Sequence, residues 1–265
     1  MPMYDLHCHI LPGIDDGPAG WSAALDLARV LVAEGVTFVA ATPHGPGSNQ
    51  SRHYAPSLLR ELISQLREHL QRARIGLQVC LGTEIAFDVG IVELLRAGDV
   101  LPYTSTRSVL LEPPTHVVIE HLERAIFDIQ LAGYRVVLAH PERTRLFQEN
   151  PNLLIPLIER GVLMQITAAS LVGLHGEGLK QLTTQLLYSG MAQIIASDSH
   201  AALGVRAPAM QAAQVYASSL IGEPAAHDLL HTIPELLMND GPLPVFSPQP
   251  IQLTTKARQR WWGQK

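Results

Sequence analysis

The sequence predicts an α/β fold in which seven parallel strands alternate with helices and close into a barrel. Three observations carry this. Short apolar runs of strand length alternate with amphipathic stretches of 3.6-residue period. Gly or Pro punctuates the junctions, and no linker interrupts the rhythm. The 265 residues, 47% apolar and 16% charged, suit one barrel domain with a large core. An open nucleotide-binding sheet fits less well, because no GxGxxG follows a strand.

The first strand is residues 3–9, holding His7 and His9, and it leads into a Gly/Pro-bounded loop carrying Asp15 and Asp16. Residues 21–34 are helical, with Ala24, Leu27, Ala28 and Leu31 on one face, and Gly35 ends the helix. Residues 36–42 form a buried strand that stops at Pro43-His44, and a Gly/Ser/Asn-rich loop runs to His53. Residues 56–74 form a long amphipathic helix. Residues 77–83 are the third strand, ending in Glu84, and 89–97 a short helix. Residues 108–111 are the fourth strand, ending in Glu112, followed by a helix at 117–131. The fifth strand, 135–139, ends in His140-Pro141; a helix at 153–160 and a sixth strand at 162–167 follow. A helix at 177–189 leads to the seventh strand, 192–196, ending in Ser197-Asp198-Ser199-His200. Helical patterns at 209–220, 224–231 and 233–239 close the domain.

Six of the seven strands therefore end in a residue able to bind metal: His7/His9, His44, Glu84, Glu112, His140 and Asp198/His200. Parallel barrels gather their strand C-termini on one rim, where active sites lie. A lone histidine beside a proline, or a lone strand-end glutamate, is most often an ordinary loop or capping group. Six such placements together point to a multinuclear metal site, since so many carboxylates would repel one another without cations. Alternation along the first strand puts His7 and His9 on one face and Cys8 on the other. Imidazole and carboxylate donors suit Mn²⁺, Fe²⁺ or Zn²⁺ and exclude a thiolate-rich zinc site. Eight or nine donors suit two or three ions, with Glu84 as a bridging carboxylate. None of the three lysines, Lys180, Lys256 and Lys265, lies at a strand end, so no carboxylated lysine is available as a bridge. The other histidines, His175 among them, read as surface groups, with His53 closest to the site.

Composition narrows the chemistry further. Nineteen basic against 24 acidic residues, net −5, argue against a general nucleic-acid binder. Two cysteines and no CxxC predict a reduced, cytoplasmic protein. No apolar segment resembles a signal peptide or a membrane span. There is no GxSxG elbow and no GxxxxGK loop. Neither Cys8 nor Cys80 is followed by C-x5-R, so a metal-activated hydroxide is the best nucleophile available.

The phrases DLHCHILPGIDDG, TPH, GTEI, LLE, LAHPER, ITAASLVGLHG and ASDSH resemble the PHP (polymerase and histidinol phosphatase) family. Within it they are similar to the bacterial manganese-dependent protein-tyrosine phosphatases of capsule and exopolysaccharide operons. The resemblance implies a distorted (β/α)7 TIM-like barrel over residues 1–240, followed by a Pro-rich and then basic, Trp-containing tail at 241–265. It implies three divalent ions, manganese first, with iron or zinc as options. His7, His9, Glu84 and Asp198 would hold one; Glu84, Glu112 and His140 a second; Asp16, His44 and His200 the third. Asp16 matches the family position better than Asp15. Arg143, Arg206 and Asp198 form the implied catalytic set, the arginines binding phosphate. Arg206 lies six residues after His200, where the family spacing is five, and Gly45-Pro46 replaces a basic or polar residue after His44. The implied substrate is a tyrosine-phosphorylated protein, in particular a membrane-associated tyrosine kinase. The rivals are a small phosphomonoester such as histidinol phosphate, amide or lactone hydrolysis, and a non-catalytic metal module. The tail, residues 256–265, reads as a locally docked or disordered terminus, with contact to a membrane-proximal partner as the sharper option.

Overall fold

The computed structural model describes residues 2–46, 48, 54–88 and 90–252. His53 and the basic tail at 256–265 lie outside the described residues.

The strands are β1 (Met3–Cys8), β2 (Val36–Ala41), β3 (Gln78–Leu81), β4 (Glu84–Ala86), β5 (Ser108–Glu112), β6 (Arg135–Ala139), β7 (Leu163–Thr167) and β8 (Ile194–Ala196). All pairings are parallel, in two sheets ordered β1-β2-β3 and β4-β5-β6-β7-β8. Val39 pairs with Val79 in the first sheet; Leu138 pairs with Met164 and Ile166 with Ile195 in the second. Isolated parallel bridges join the sheets at two seams, Cys8 with Ser199 and His44 with Glu84.

Seven expected strands thus become eight segments in two sheets. The expected third strand breaks after Leu81, and Glu84 opens β4 instead of closing β3. Thr83 causes the break. Its hydroxyl donates to the Leu101 carbonyl at 3.0 Å and accepts from the Leu101 amide at 2.6 Å, drawing the chain off the β3 line. The Glu84 amide then donates to Pro43 O.

The helices are α1 (Trp21–Ala33), α2 (Pro56–Arg72), α3 (Ile91–Ala97), α4 (Ile119–Leu131), α5 (Arg145–Glu149), α6 (Ile155–Glu159), α7 (Ala168–Val172), α8 (Glu177–Tyr188), α9 (Met210–Ile221), α10 (Glu223–His227) and α11 (Ile233–Met238). Short 3₁₀ turns occupy Pro141–Arg143 and Pro151–Leu154, and a π turn joins α10 to α11 at Asp228–Thr232. α1 buries Ala24, Leu27, Ala28 and Leu31; α2 buries Leu59, Ile63, Leu66 and Leu70. Each buried Leu or Ile contributes about 2 kcal/mol, which holds these helices against the sheets. Strands covered on both faces need no polar alternation: β6 reads RVVLA, buried from Val136 onward. Tyr103 lies in the core and donates to the Leu6 carbonyl at 2.9 Å. After α11, the Gln249 amide donates to Ser189 O, and Ile251 exchanges two hydrogen bonds with the Asn152 side chain.

Candidate metal centre

β1 supplies the first wall of the site. Asp5, His7 and His9 share one face of the strand and its extension, and all three are buried. Cys8 faces away, its thiol against Ser199 O at 3.6 Å, and burial raises its pKa well above the ordinary value. The segment after β8 runs alongside. The Asp198 amide donates to His7 O at 2.7 Å and the His9 amide to Ser199 O at 2.9 Å. Asp5 pins this pairing by accepting from the Ser197 amide at 2.8 Å and from its hydroxyl. Burial, partly offset by those bonds, pushes the Asp5 carboxyl up to about 6.

All nine sequence-predicted ligand residues fall in one cluster. Their donor atoms form overlapping groups: His9, Asp16, His44 and His200; His7, Glu84 and His140; His7, His9 and Asp198; His44, Glu84 and Glu112. Glu84 is central. Its Oε1 lies 3.2 Å from His7 Nε2 and 2.9 Å from His140 Nε2; its Oε2 lies 3.3 Å from His9 Nε2 and 2.9 Å from His44 Nδ1. Asp198 Oδ1 is 3.2 Å from His7 Nε2 and 3.4 Å from His9 Nε2. Asp16 Oδ1 is 3.3 Å from His200 Nε2 and 3.5 Å from His44 Nε2. Glu112 stands further out, 3.9 Å from His44 Nδ1.

The donor set fits metal ions, and ring orientation shows it. His7 Nδ1 faces Gln165 Oε1 at 2.9 Å, His9 Nδ1 faces Asp15 Oδ2 at 2.8 Å, and His200 Nδ1 faces Asp198 O at 2.9 Å. Each acceptor takes the Nδ1 proton and leaves an Nε2 lone pair aimed into the cluster, the usual arrangement around a ligated histidine. His7 Nε2 and His9 Nε2 then point at each other across 3.3 Å. Asp16 Oδ1, Glu84 Oε2, His44 Nε2 and His200 Nε2 are buried without a hydrogen-bond partner. Donors each about 2.1 Å from one ion sit about 3 Å apart, as these do.

These contacts also separate Asp15 from Asp16. Asp15 accepts from His9, the Gly17 amide and the His44 amide; it orients a ring, while Asp16 reaches the cluster. Gly17 makes the turn possible, since a Cβ there would lie 2.2 Å from the His9 carbonyl oxygen.

Two site residues hold left-handed backbone, His140 at φ 32° and Asp198 at φ 51°. Non-glycine residues enter that region at a cost and cluster at functional sites.

The electrostatics follow from the packing. Burial opposes charge on Glu84, but His7, His140 and His44 hold its carboxyl well below the usual range. Burial likewise opposes charge on Asp198, and His7 and Arg143 keep it low. Asp16 is buried in part, and His200, His44 and Arg206 hold it low. Burial and Glu84 raise Glu112. Burial would lower His44, but Asp16 and Glu84 raise it to about 10. His7 and His9 also rise, against burial, through Glu84 and Asp198 for the first and through Asp15, Asp198 and Glu84 for the second. His200 is instead lowered, by burial and by His9. The carboxylates favour protons on His7, His9 and His44, and cations entering the cluster would displace those protons and bare the ring-nitrogen lone pairs.

Arg143 Nη1 lies 2.6 Å from Asp198 Oδ2, and Arg206 Nη2 lies 2.7 Å from Asp16 Oδ2. Two guanidinium groups thus flank the cluster from the β6 and β8 sides. Sequence reasoning passed over Gln165, Asp5 and the ring-orienting role of Asp15. The one available signal was a polar residue inside an apolar run, as in the LMQIT of β7 and the YDL of β1. His175, read as a surface group, instead contacts Arg143, and His231 is buried with Nδ1 facing Pro2 O.

The tyrosine-protein phosphatase YwqE of Bacillus subtilis is 37% identical over 198 residues, 75% of this chain and 77% of that protein. A solved structure from work on YwqE and on CpsB from Streptococcus pneumoniae, there called unique metal-dependent tyrosine phosphatases, superposes with a TM-score of 0.88. It is 33% identical and covers 95% of this chain and 100% of its own. The histidinol phosphate phosphatase of Lactococcus lactis shares only the fold, at a TM-score of 0.51 and 13% identity over 84% of this chain and 93% of its own. The family model for capsular polysaccharide synthesis proteins CpsB/CapC matches residues 3–239, and the chain belongs to that family.

Proposed function

We propose that this chain is a metal-dependent protein-tyrosine phosphatase that hydrolyses phosphotyrosine on a protein substrate. The observation that carries the reading is the placement of Arg143 and Arg206 on either side of nine convergent His, Asp and Glu side chains. Three ions are the natural complement of that set. His7, His9, Glu84 and Asp198 would hold one, Glu84, Glu112 and His140 a second, and Asp16, His44 and His200 the third. Manganese is the first choice, and iron or zinc suits the same donors.

Bound divalent ions supply Lewis-acid charge against phosphoryl oxygens and an acidified water as nucleophile. The protein's own part is orientation and charge. Gln165, Asp15 and the Asp198 carbonyl fix three imidazole rings before any ligand arrives. Arg143 and Arg206 offer paired N–H donors to phosphate oxygens. Asp198 and Asp16 keep them extended over the cluster until then. A cleft of about 390 Å³ opens beside Glu112, His140 and Arg143, walled by Phe87, Pro113 and Pro114. Within its otherwise mostly polar lining, Phe87, Pro113 and Pro114 offer apolar contact to an aryl leaving group. A phenolate, with a pKa of about 10, departs with less help from an acid than an alkoxide does.

The same reading treats the two sheets as one distorted (β/α)7 barrel over residues 1–240, with β3 and β4 counted as a single kinked strand. The bridges at Cys8–Ser199 and His44–Glu84 support it. A membrane-associated tyrosine kinase of capsule synthesis is the proposed partner, met in the cytoplasm. Two buried, unpaired cysteines suit that compartment, and no helix among the described residues is long and apolar enough to cross a membrane.

The test is a two-substrate assay. Manganese-loaded protein should hydrolyse a phosphotyrosyl peptide with kcat/KM at least about 100-fold above that for histidinol phosphate. Chelation should abolish the activity and manganese restore it. A reversed preference would overturn the reading.

A further inference from the structure

His175 sits in the four-residue link between α7 and α8, bracketed by Gly173 at φ 91° and Gly176 at φ 98°. The Gly176 amide donates to Gly173 O at 3.1 Å and closes the turn, and the Leu174 amide donates to Ala169 O. Two left-handed residues in four would be strained for any other residue type, so this link is built to one shape.

That shape aims the imidazole at two loops. Nδ1 lies 3.1 Å from Ser170 Oγ and 3.5 Å from Arg143 Nη2, while Nε2 lies 3.2 Å from the Val205 carbonyl oxygen. A carbonyl can only accept, so Nε2 carries the proton. A guanidinium can only donate, so Nδ1 is the bare acceptor. One neutral tautomer satisfies all three contacts at once. Burial and the facing Arg143 cation favour that neutral form, against the Val205 bond and the more distant Asp198 and Glu142 carboxylates.

The two loops held this way carry the two arginines. Arg143 follows β6. Val205 precedes Arg206 in a loop closed by His200 N→Arg206 O at 3.0 Å, whose outer residues Leu203 and Val205 are exposed. We propose that His175 is a positioning residue that sets the spacing of Arg143 and Arg206 across the phosphate site by bridging their loops. This rests on the phosphatase reading above.

The test compares His175→Ala and His175→Gln with the wild-type chain. The Ala variant should raise KM for an aryl phosphate and the inhibition constant for inorganic phosphate in parallel, each about tenfold, with kcat within about threefold. Metal content and the far-UV circular dichroism spectrum should match wild type. In the metal-stripped protein, amide hydrogen exchange at residues 201–206 should quicken in the Ala variant. Gln retains a donor and an acceptor and should recover most of both effects. If the Ala variant keeps wild-type phosphate affinity and exchange at 201–206, or if kcat falls with KM unchanged, the proposal is wrong. If the Ala variant does not fold, the Gln variant decides: a folded Gln variant with wild-type phosphate binding supports the bridge, and one with lost phosphate binding overturns it. A wild-type chain that hydrolyses no phosphotyrosine overturns the underlying reading instead, whereas the exchange experiment still judges the bridge.

Discussion

Both carboxylate oxygens of Glu84 face two imidazoles each within 3.3 Å. Glu84→Gln replaces one metal-binding oxygen by an amide N–H that donates to the facing imidazole lone pairs, and it removes the negative charge. The expected result is a loss of turnover of about a thousandfold or more, with lower metal content and an unchanged circular dichroism spectrum. Retained activity would remove Glu84 from the bridging position. The cysteines make the converse case. Burial pushes the Cys80 thiol up to about 12 and raises Cys8 as well, and a protonated buried thiol is unreactive. Iodoacetamide at pH 8 should therefore leave activity intact while a chelator removes it; inactivation by the alkylating agent would point to thiol chemistry. The clustered residues other than Asp16 were legible because each sits at or just past the end of an apolar run. Gln165 and His175 were not, because their partners lie 158 and 32 residues away. Which of two adjacent aspartates faces the cluster is likewise decided by the turn at Gly17, which residue types alone do not specify.

Elements of strong periodicity were legible for a physical reason. α2 shows its buried stripe over four turns, so the expected 56–74 differs from the structure only at its C-terminal end. α5 and α7 are five residues each, too short to display a period, and neither segment carries an element expected from the sequence. The break between β3 and β4 left no trace in hydropathy because it depends on Thr83 meeting Leu101. The β1–α1 connection shows how tightly an element's exit can be specified. Gly17→Ala would place a methyl 2.2 Å from the His9 carbonyl, and relief must come from moving the Asp15–Asp16 turn or β1 itself. The expected outcome is a destabilisation of about 1–3 kcal/mol together with weaker metal retention, read by thermal melts and metal analysis after dialysis. A variant as stable and as metal-rich as wild type would show that the turn has slack.

Across the whole molecule, the metal-free and metal-loaded proteins should differ in how stability depends on pH. In the metal-free fold His44 keeps its proton up to about pH 10, against an ordinary value of 6.5. The stabilisation from its contacts with Asp16 and Glu84 is complete below about pH 6.5 and is lost as pH rises toward 10. Asp16, Asp198 and Glu84 are held low, so their contribution is present above about pH 4 and is lost in acid. Melting temperature of the stripped protein should thus decline between about pH 6.5 and 10, and manganese should flatten that decline. Titrating manganese at pH 7 should release protons, visible as a dependence of the binding heat on buffer ionisation enthalpy. A flat profile without metal, or no proton release, would show that the imidazoles are already unprotonated.

The pairing of β1 with the segment after β8 has a consequence in time. Synthesis reaches the Asp198 and Ser199 backbone groups that complete the wall of His7 and His9 roughly 190 residues after those two histidines. At about 5–20 residues per second, some 10–40 seconds of synthesis separate the two. Throughout that interval the nascent chain carries half a catalytic centre. It can neither trap a full complement of metal nor attack phosphoproteins near the translating ribosome. Assembly of the last wall is in this sense the protein's activation step.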